Sequence, residues 1–173
     1  MEWARDEFVI SDDRSRVQVE VVADLLAKSL WGHRRPREVV EKLIQTSMCF
    51  SLFRPREQIG FARVVTDYTV FSWLSDVVIK DRYRGRGLGE WLIECILDHP
   101  QISGTQFVLQ TTEAAGLYKK FSFQGNEKLM TRKPSDWLRK KWRCESIPSG
   151  IQEWIPGVRG AFHVDYRPCF AVL

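Results

Sequence analysis

The sequence predicts a mixed α/β (α+β) domain that ends near residue 133 and is followed by an aromatic, proline-rich C-terminal extension. Three observations predict it. Apolar residues recur at helical spacing up to about residue 47 and then switch to β-rich runs separated by turn-like segments. A basic, glycine-rich turn, "DRYRGRGLGEWL", joins the last of those runs to another helical pattern. Beyond residue 133, prolines at 134, 148, 156 and 168 alternate with Trp137, Trp142, Trp154, Phe162, Tyr166 and Phe170, a composition too aromatic for an ordinary disordered tail.

Taken in order, "VEVVADLLAKSLW" places Val22, Leu25, Leu26 and Leu30 on one helical face. "HRRPREVVEKLIQTS" follows, with Pro36 suited to a first helical turn and Val39, Val40, Leu43 and Ile44 forming a second apolar stripe. The runs 48–53, 58–66 and 69–79 read as an antiparallel meander broken at "RPRE" and "TDYT". After the glycine-rich turn, Leu88, Trp91, Leu92, Cys95 and Ile96 mark a core-facing helix that stops before Pro100. "TQFVLQTT" is expected as a buried strand, "EAAGLYKKF" as a short helix despite Gly116, and "EKLMTRK" as a closing strand. In the extension, "DWLRKKWR" fits a short basic helix.

The chain of 173 residues is long enough for one domain with an appendage, and 44% hydrophobic with 28% charged residues is ordinary for a globular protein. A net charge of +4 favours small anions and is too weak to announce nucleic acid as a partner. No run approaches a membrane span, and the acidic start "MEWARDEFVI" lacks the pattern of a secretory signal. Cys49, Cys95, Cys144 and Cys169 lack C-x-x-C spacing and read as reduced thiols, so a cytoplasmic protein without a metal centre is expected; only a convergence of Cys144, His163 and Cys169 would hold zinc. His33 and His99 have no local nucleophile beside them.

Within the turn, Arg84, Gly87 and Gly89 fit R-x-x-G-x-G. Glycines let main-chain amides approach a ligand and adopt positive φ, and the helix that follows offers unpaired N–H groups and a partial positive charge. Arginine adds charge-assisted hydrogen bonds, which together describe a diphosphate cradle. The pattern [RQ]-x-x-G-x-[GA] occurs by accident in about one chain in six of this length, so the strand before it and the helix after it carry the reading. G-x-G-x-x-G is absent, and the meander argues against a dinucleotide-binding βαβ unit.

At these residues the chain resembles a family. "SDVVIKDRYRGRGLGEWLIECIL" resembles the acyl-CoA signature of the GNAT superfamily of N-acetyltransferases, and "TTEAAGLYKKFSF" is similar to that superfamily's A-x-x-L/x-Y-x-x-x-G-F segment, with Ala114, Leu117, Tyr118 and Phe123 in place. The resemblance covers residues 7–133 and departs at two positions: Thr111 where many members have Asn, and Ser122 where Gly is usual, a residue that resists positive φ.

The resemblance implies a mixed, mostly antiparallel central sheet flanked by helices, with acetyl-CoA as the cofactor. It implies that the backbone of Val77, Val78 and Ile79 pairs with the pantetheine arm, that Arg84, Gly85, Arg86, Gly87, Leu88 and Gly89 wrap the pyrophosphate, and that Thr111 stands near the cofactor arm. Tyr118 would face the sulfur: a departing thiolate has an ordinary pKa of about 8.5 against about 10 for a phenol, so a phenol is not ionised beforehand and can donate a hydrogen bond or a proton to it. A backbone N–H near Val78 would polarise the carbonyl. The alternative for Tyr118 is a buried aromatic on an amphipathic helix.

An attacking amine must be neutral, which makes Asp76 and Glu113 candidate bases, each with a structural carboxylate as its alternative. Phe71 and Trp73 are candidates for an acceptor pocket, although strand alternation sends at least one of them to the core. The expected activity is transfer of acetyl from acetyl-CoA to a primary amine of a small molecule or a protein; the alternative is a catalytically silent CoA-binding or protein-interaction module. The extension could cover the acceptor groove or mediate a homodimer, and "RKPSDWLRKKWR" is the one segment through which nucleic acid could bind.

Overall fold

The computed structural model describes residues 1–29 and 35–132. Six strands form one sheet in the order β1-β2-β3-β4-β5-β6. β1 (Glu2–Arg5) and β2 (Phe8–Ser11) make a hairpin that the sequence reading missed. Its two-residue turn places Asp6 at φ 52°, a conformation that Asp tolerates better than most residues. β3 (Met48–Arg54), β4 (Glu57–Thr66) and β5 (Phe71–Ile79) are the expected meander. β6 (Gln106–Val108) returns parallel to β5.

Helices cover both faces. α1 (Val19–Lys28) and α2 (Arg37–Gln45) bury Val22, Leu25, Leu26, Val40 and Ile44 against Cys49, Phe61 and Val78. α3 (Leu88–Leu97) buries Leu88, Trp91, Leu92, Ile93, Cys95 and Ile96 in the larger cluster on the opposite face, with Phe50, Leu52, Val64, Leu74 and Ile79. α4 (Ala115–Lys119) adds Ala114 and Tyr118 to that cluster. A fully buried Gln58 ties the layers together. Its Oε1 accepts the Gln18 amide at the start of α1 at 2.8 Å, and its Nε2 donates to Ser51 Oγ at 3.0 Å.

Two features of the sheet prepare a site. Between Phe61 and Arg63 of β4 the register with β5 shifts, a bulge that leaves Asp76 at φ 55°. The pairing of β5 with β6 covers only Phe71–Trp73 against Gln106–Val108, while β5 continues to Ile79, so the two strands part company after Trp73, just before the bulge. Gly60 keeps β4 close to the free stretch of β5, since a Cβ there would lie 2.6 Å from Ile79 Cδ1 and 3.1 Å from the Val78 carbonyl oxygen.

The expected closing strand is not formed: residues 127–132 contain no strand, and Leu129 and Met130 are exposed, so their side chains have no apolar face to join. β6 is also shorter than the run "TQFVLQTT". The compact unit built by the described residues spans Met1–Gly125. The expected basic helix "DWLRKKWR" and the residues Cys144, His163 and Cys169 lie outside the described residues. Among those described, no cluster of His, Cys, Asp and Glu could hold a metal ion, and no helix is long and apolar enough to cross a membrane.

Candidate active site

A cleft of about 390 Å³ opens where β5, the glycine-rich turn and α4 meet; Ile79, Arg84, Gly85, Gly87, Gly89 and Leu117 are among its walls. Gly85 and Gly87 sit at φ 73° and 72°, and Gly87 is the N-cap of α3 with no side chain capping the helix. The first-turn amides of Leu88, Gly89 and Glu90 have no partner within the helix by its geometry. A Cβ built at either Gly85 or Gly87 would meet nothing within 4 Å, so it is the backbone conformation, rather than crowding, that demands glycine there. Glu90 and Glu113 also line the cleft; Glu90 is matched by Lys120, whose Nζ donates to Oε1 at 2.5 Å, and Glu113 is exposed.

The turn is braced from behind. Arg84 donates from Nε to the Ile79 carbonyl at 3.2 Å and pairs with Asp81 at 3.0 Å, so it fastens the turn to the strand end. Tyr83, which sequence reasoning passed over, is buried beneath the turn in a T-shaped pair with Phe8, and the guanidinium groups of Arg82 and Arg86 lie 5.0 and 5.6 Å from its ring centroid. Its hydroxyl donates to Glu57 Oε2 at 3.2 Å. Lys80 donates to Glu57 at 2.9 Å, and Lys80, Arg82 and the Tyr83 hydroxyl hold that carboxyl below its ordinary pKa. The sequence signal was one aromatic alone in a charged run, "KDRYRGR". A second depression, of about 430 Å³, lies against α1 and shares Ile79 and Arg84 with the first.

Tyr118 is 1% exposed, and among the described residues its hydroxyl is the one buried side-chain polar atom with no hydrogen-bond partner. Burial pushes its pKa above the ordinary phenol value. An orphaned hydroxyl of this kind is costly and calls for an explanation. Its position is set by the end of α4. The Phe123 amide donates to the Tyr118 carbonyl at 3.2 Å and the Ser122 amide to the Lys119 carbonyl at 3.1 Å, with Ser122 at φ 63°. These are the paired bonds and the left-handed residue of a Schellman cap, completed by Tyr118 and Phe123 with ring centroids 5.7 Å apart.

Ser122 therefore takes the conformation that its side chain resists, and the departure from glycine leaves the cap intact. Replacing Ser122 with Gly should stabilise the protein by about 0.5–1 kcal/mol, the left-handed penalty less the extra unfolded-state freedom of glycine. Urea unfolding curves would reveal it; an unchanged or lower midpoint would mean that the serine is not strained. Ahead of α4, Thr111 Oγ1 accepts the Ala114 amide at 3.0 Å, so the residue found in place of Asn ties down the turn that leads into this helix.

Asp76 occupies a different environment. It is wholly buried, its Oδ2 accepts from Arg63 Nε, and Arg35 grips both oxygens, Nη1 to Oδ2 at 3.0 Å and Nη2 to Oδ1 at 3.2 Å. Arg63 also donates to Ser47 Oγ and Ser75 Oγ, each at 3.3 Å. Neither Asp76 nor Glu113 is hydrogen-bonded to Tyr118. Val77, Val78 and Ile79 follow the bulge on the stretch of β5 that β6 does not pair. Phe71 and Trp73 stand near each other on that strand, with ring centroids 6.5 Å apart, Phe71 exposed and Trp73 half-buried. Cys49 and Cys95 have thiols that burial pushes up to about 11, which suits neither to act as a nucleophile.

Comparison with known proteins adds four findings. A family model for the GNAT acetyltransferase domain matches residues 45–125. A crystal structure from Xanthomonas campestris pv. campestris, described as belonging to the GNAT family, is 32% identical, with a TM-score of 0.70 over 73% of this chain and 93% of that one. A Gibberella zeae protein whose name proposes an acetyltransferase is 26% identical over 114 residues, and the chain spans 64% of its length. The fold also matches a GNAT acetyltransferase of Elizabethkingia anophelis crystallised with acetyl-CoA bound, at 14% identity and a TM-score of 0.53 over 68% of this chain and 76% of that one.

Proposed function

Since the chain belongs to the GNAT acetyltransferase family, an acyl-transfer family, we propose that it moves an acetyl group from acetyl-CoA to a primary amine of a small molecule or protein. The observation that carries this reading is the orphaned Tyr118 hydroxyl, on a helix whose Ala114, Gly116 and Leu117 wall the same cleft as the uncapped turn of α3. Three features of the chain fit the cofactor: free amides at a helix start for a diphosphate, an unpaired strand edge for a pantetheine arm, and a polar atom without a partner for a sulfur.

The amides of Leu88, Gly89 and Glu90 hold the diphosphate, with Gly85 and Gly87 shaping the approach. Val77 and Ile79 offer main-chain groups to the arm, and an amide of this stretch polarises the carbonyl; Val78 is committed to β4, since the register in which Lys80 donates to the Ile59 carbonyl pairs Val78 with Phe61 in the same way. Bound there, acetyl-CoA supplies an acetyl thioester whose C–S bond breaks as the N–C bond to the amine forms. Tyr118, kept un-ionised by its burial, holds the proton that the departing sulfur takes up. Asp76, with both oxygens engaged, serves as a brace for the bulge. Glu113, exposed at the cleft, is the carboxylate left to accept the amine proton through water.

Calorimetry separates this reading from an accidental glycine turn. Acetyl-CoA should bind with measurable heat, and S-acetylpantetheine, which lacks the diphosphate, should bind at least about tenfold more weakly because it forgoes the charge-assisted bonds at the turn. Equal affinities would leave the cradle without a task, and no binding of either would end the acetyl-transfer reading.

A further inference from the structure

The side chains that wall the cleft carry the same sign of charge as its proposed guest. Among the described residues that line it, Arg84 is the one cation, and Glu90 and Glu113 are carboxylates. The arginines of the turn are engaged elsewhere. Arg82 pairs with Glu57, and Arg84 pairs with Asp81 at 3.0 Å while its Nε donates to the Ile79 carbonyl at 3.2 Å. Arg86 lies against the ring of Tyr83, 5.6 Å from its centroid, and is not among the walls of the cleft. Main-chain amides at the turn therefore need a further cation beside them to hold two phosphoryl groups next to two carboxylates.

Lys120 stands where that charge is wanted. It closes α4, whose Ala114, Gly116 and Leu117 form one wall of the cleft, and its Nζ donates to Glu90 Oε1 on the other wall at 2.5 Å. Glu90 lies in the first turn of α3, so its amide is one of the three left without a partner in the helix, and its carboxylate supplies the negative charge that a helix start favours. The ammonium is thus one side chain away from the amides assigned to the diphosphate. Both partners are open to water, with 60% of the Lys120 side chain and 41% of the Glu90 side chain exposed, and an ion pair so exposed holds its members weakly. A diphosphate brings two charges against the carboxylate's one, so it draws the ammonium across, and Glu90 is left hydrated at the surface.

We infer that Lys120 is the side-chain cation of the diphosphate site, exchanging Glu90 for a phosphoryl oxygen when the cofactor binds, and that Glu90 tempers the affinity by competing for it. The inference rests on the acetyl-transfer reading and moves the charge of its donor site from the arginines of the turn to the end of α4. Lys119 is the natural comparison, since it carries the same charge one position earlier, is exposed, and has no ion-pair partner among the described residues.

Calorimetry on the full chain decides it, with acetyl-CoA, acetyl-dephospho-CoA and S-acetylpantetheine as titrants. Lys120→Ala should weaken the first two about tenfold and leave S-acetylpantetheine within about twofold, because only the first two carry a diphosphate. Lys120→Arg, which keeps the charge, should recover most of that loss. Lys119→Ala should shift all three ligands by less than about twofold, and Glu90→Gln, which releases the ammonium, should tighten acetyl-CoA about threefold. Added salt should weaken acetyl-CoA binding more in the parent than in Lys120→Ala. An equal loss for all three ligands in Lys120→Ala would make the pair with Glu90 a brace for α4 and overturn the inference, as would no loss at all or a loss that Lys119→Ala reproduces. A loss with acetyl-CoA that is missing with acetyl-dephospho-CoA would move Lys120 to the 3′-phosphate and overturn it too. A parent that binds no acetyl-CoA strikes the acetyl-transfer reading itself, and the role of Lys120 falls with it.

Discussion

Replacing Tyr118 with Phe should produce a protein that is more stable and much less active. Removing a buried hydroxyl that has no partner relieves a desolvation cost of roughly 1–3 kcal/mol, offset in part by the small hole left behind. Turnover should fall by about 10²–10⁴-fold with acetyl-CoA affinity nearly unchanged, because the lost group acts on the leaving sulfur rather than on binding. The alkaline behaviour should change as well. Burial raises the folded-state pKa of Tyr118 above the unfolded value of about 10. The stability tied to its proton is therefore complete below that pH and is lost as pH rises through the folded value. Urea unfolding at pH 9 and pH 11 should show parent and variant diverging at the higher pH. A variant that keeps full turnover would return Tyr118 to the status of a core aromatic.

The second large effect belongs to Asp76. Truncation to Ala removes the carboxylate that two guanidiniums share, on side chains 12% and 13% exposed, and puts an unsuited residue at φ 55°. Breaking a buried ion pair of this kind costs about 3–5 kcal/mol, which in a domain of this size lowers the melting temperature by about 10 °C or more. Asn should lose less, since it tolerates the left-handed region and still offers one acceptor oxygen to the arginines. Thermal melts by circular dichroism would order the three proteins as parent, Asn, Ala. Measured where the Asn variant is still folded, its turnover should stay within about tenfold of the parent; a loss of 10²–10⁴-fold would assign the carboxylate to proton abstraction after all.

What was legible in the sequence had a local signature. The turn at 84–89 could be read because glycine and arginine spacing, a preceding strand and a following helix all lie within one short run, and Tyr118 could be read because a helix end fixes its neighbours at constant offsets. The brace on Asp76 left no such trace: Arg63 and Arg35 are 13 and 41 positions away and meet it only through folding. The hairpin of β1 and β2 was hidden by charge at Glu2, Arg5, Asp6 and Glu7, which masks the alternation of Phe8 and Ile10. "EKLMTRK" misled in the opposite direction, since two apolar residues among charged ones make no strand where no neighbour receives them. Ser122 was legible as a departure but not in its outcome, because the paired bonds to Tyr118 and Lys119 override the preference of one residue.

The parting of β5 from β6 after Trp73 has a consequence for how such a protein changes over time. A guest that slots between the two strands is gripped by peptide groups, which every amino acid carries, so replacing side chains along that edge leaves the grip in place. Side chains such as Phe71, on the paired side of the same fork, enjoy no such protection. On the acetyl-transfer reading, the hold on the thioester is thereby insulated from mutation, while the side chains around the fork stay open to it.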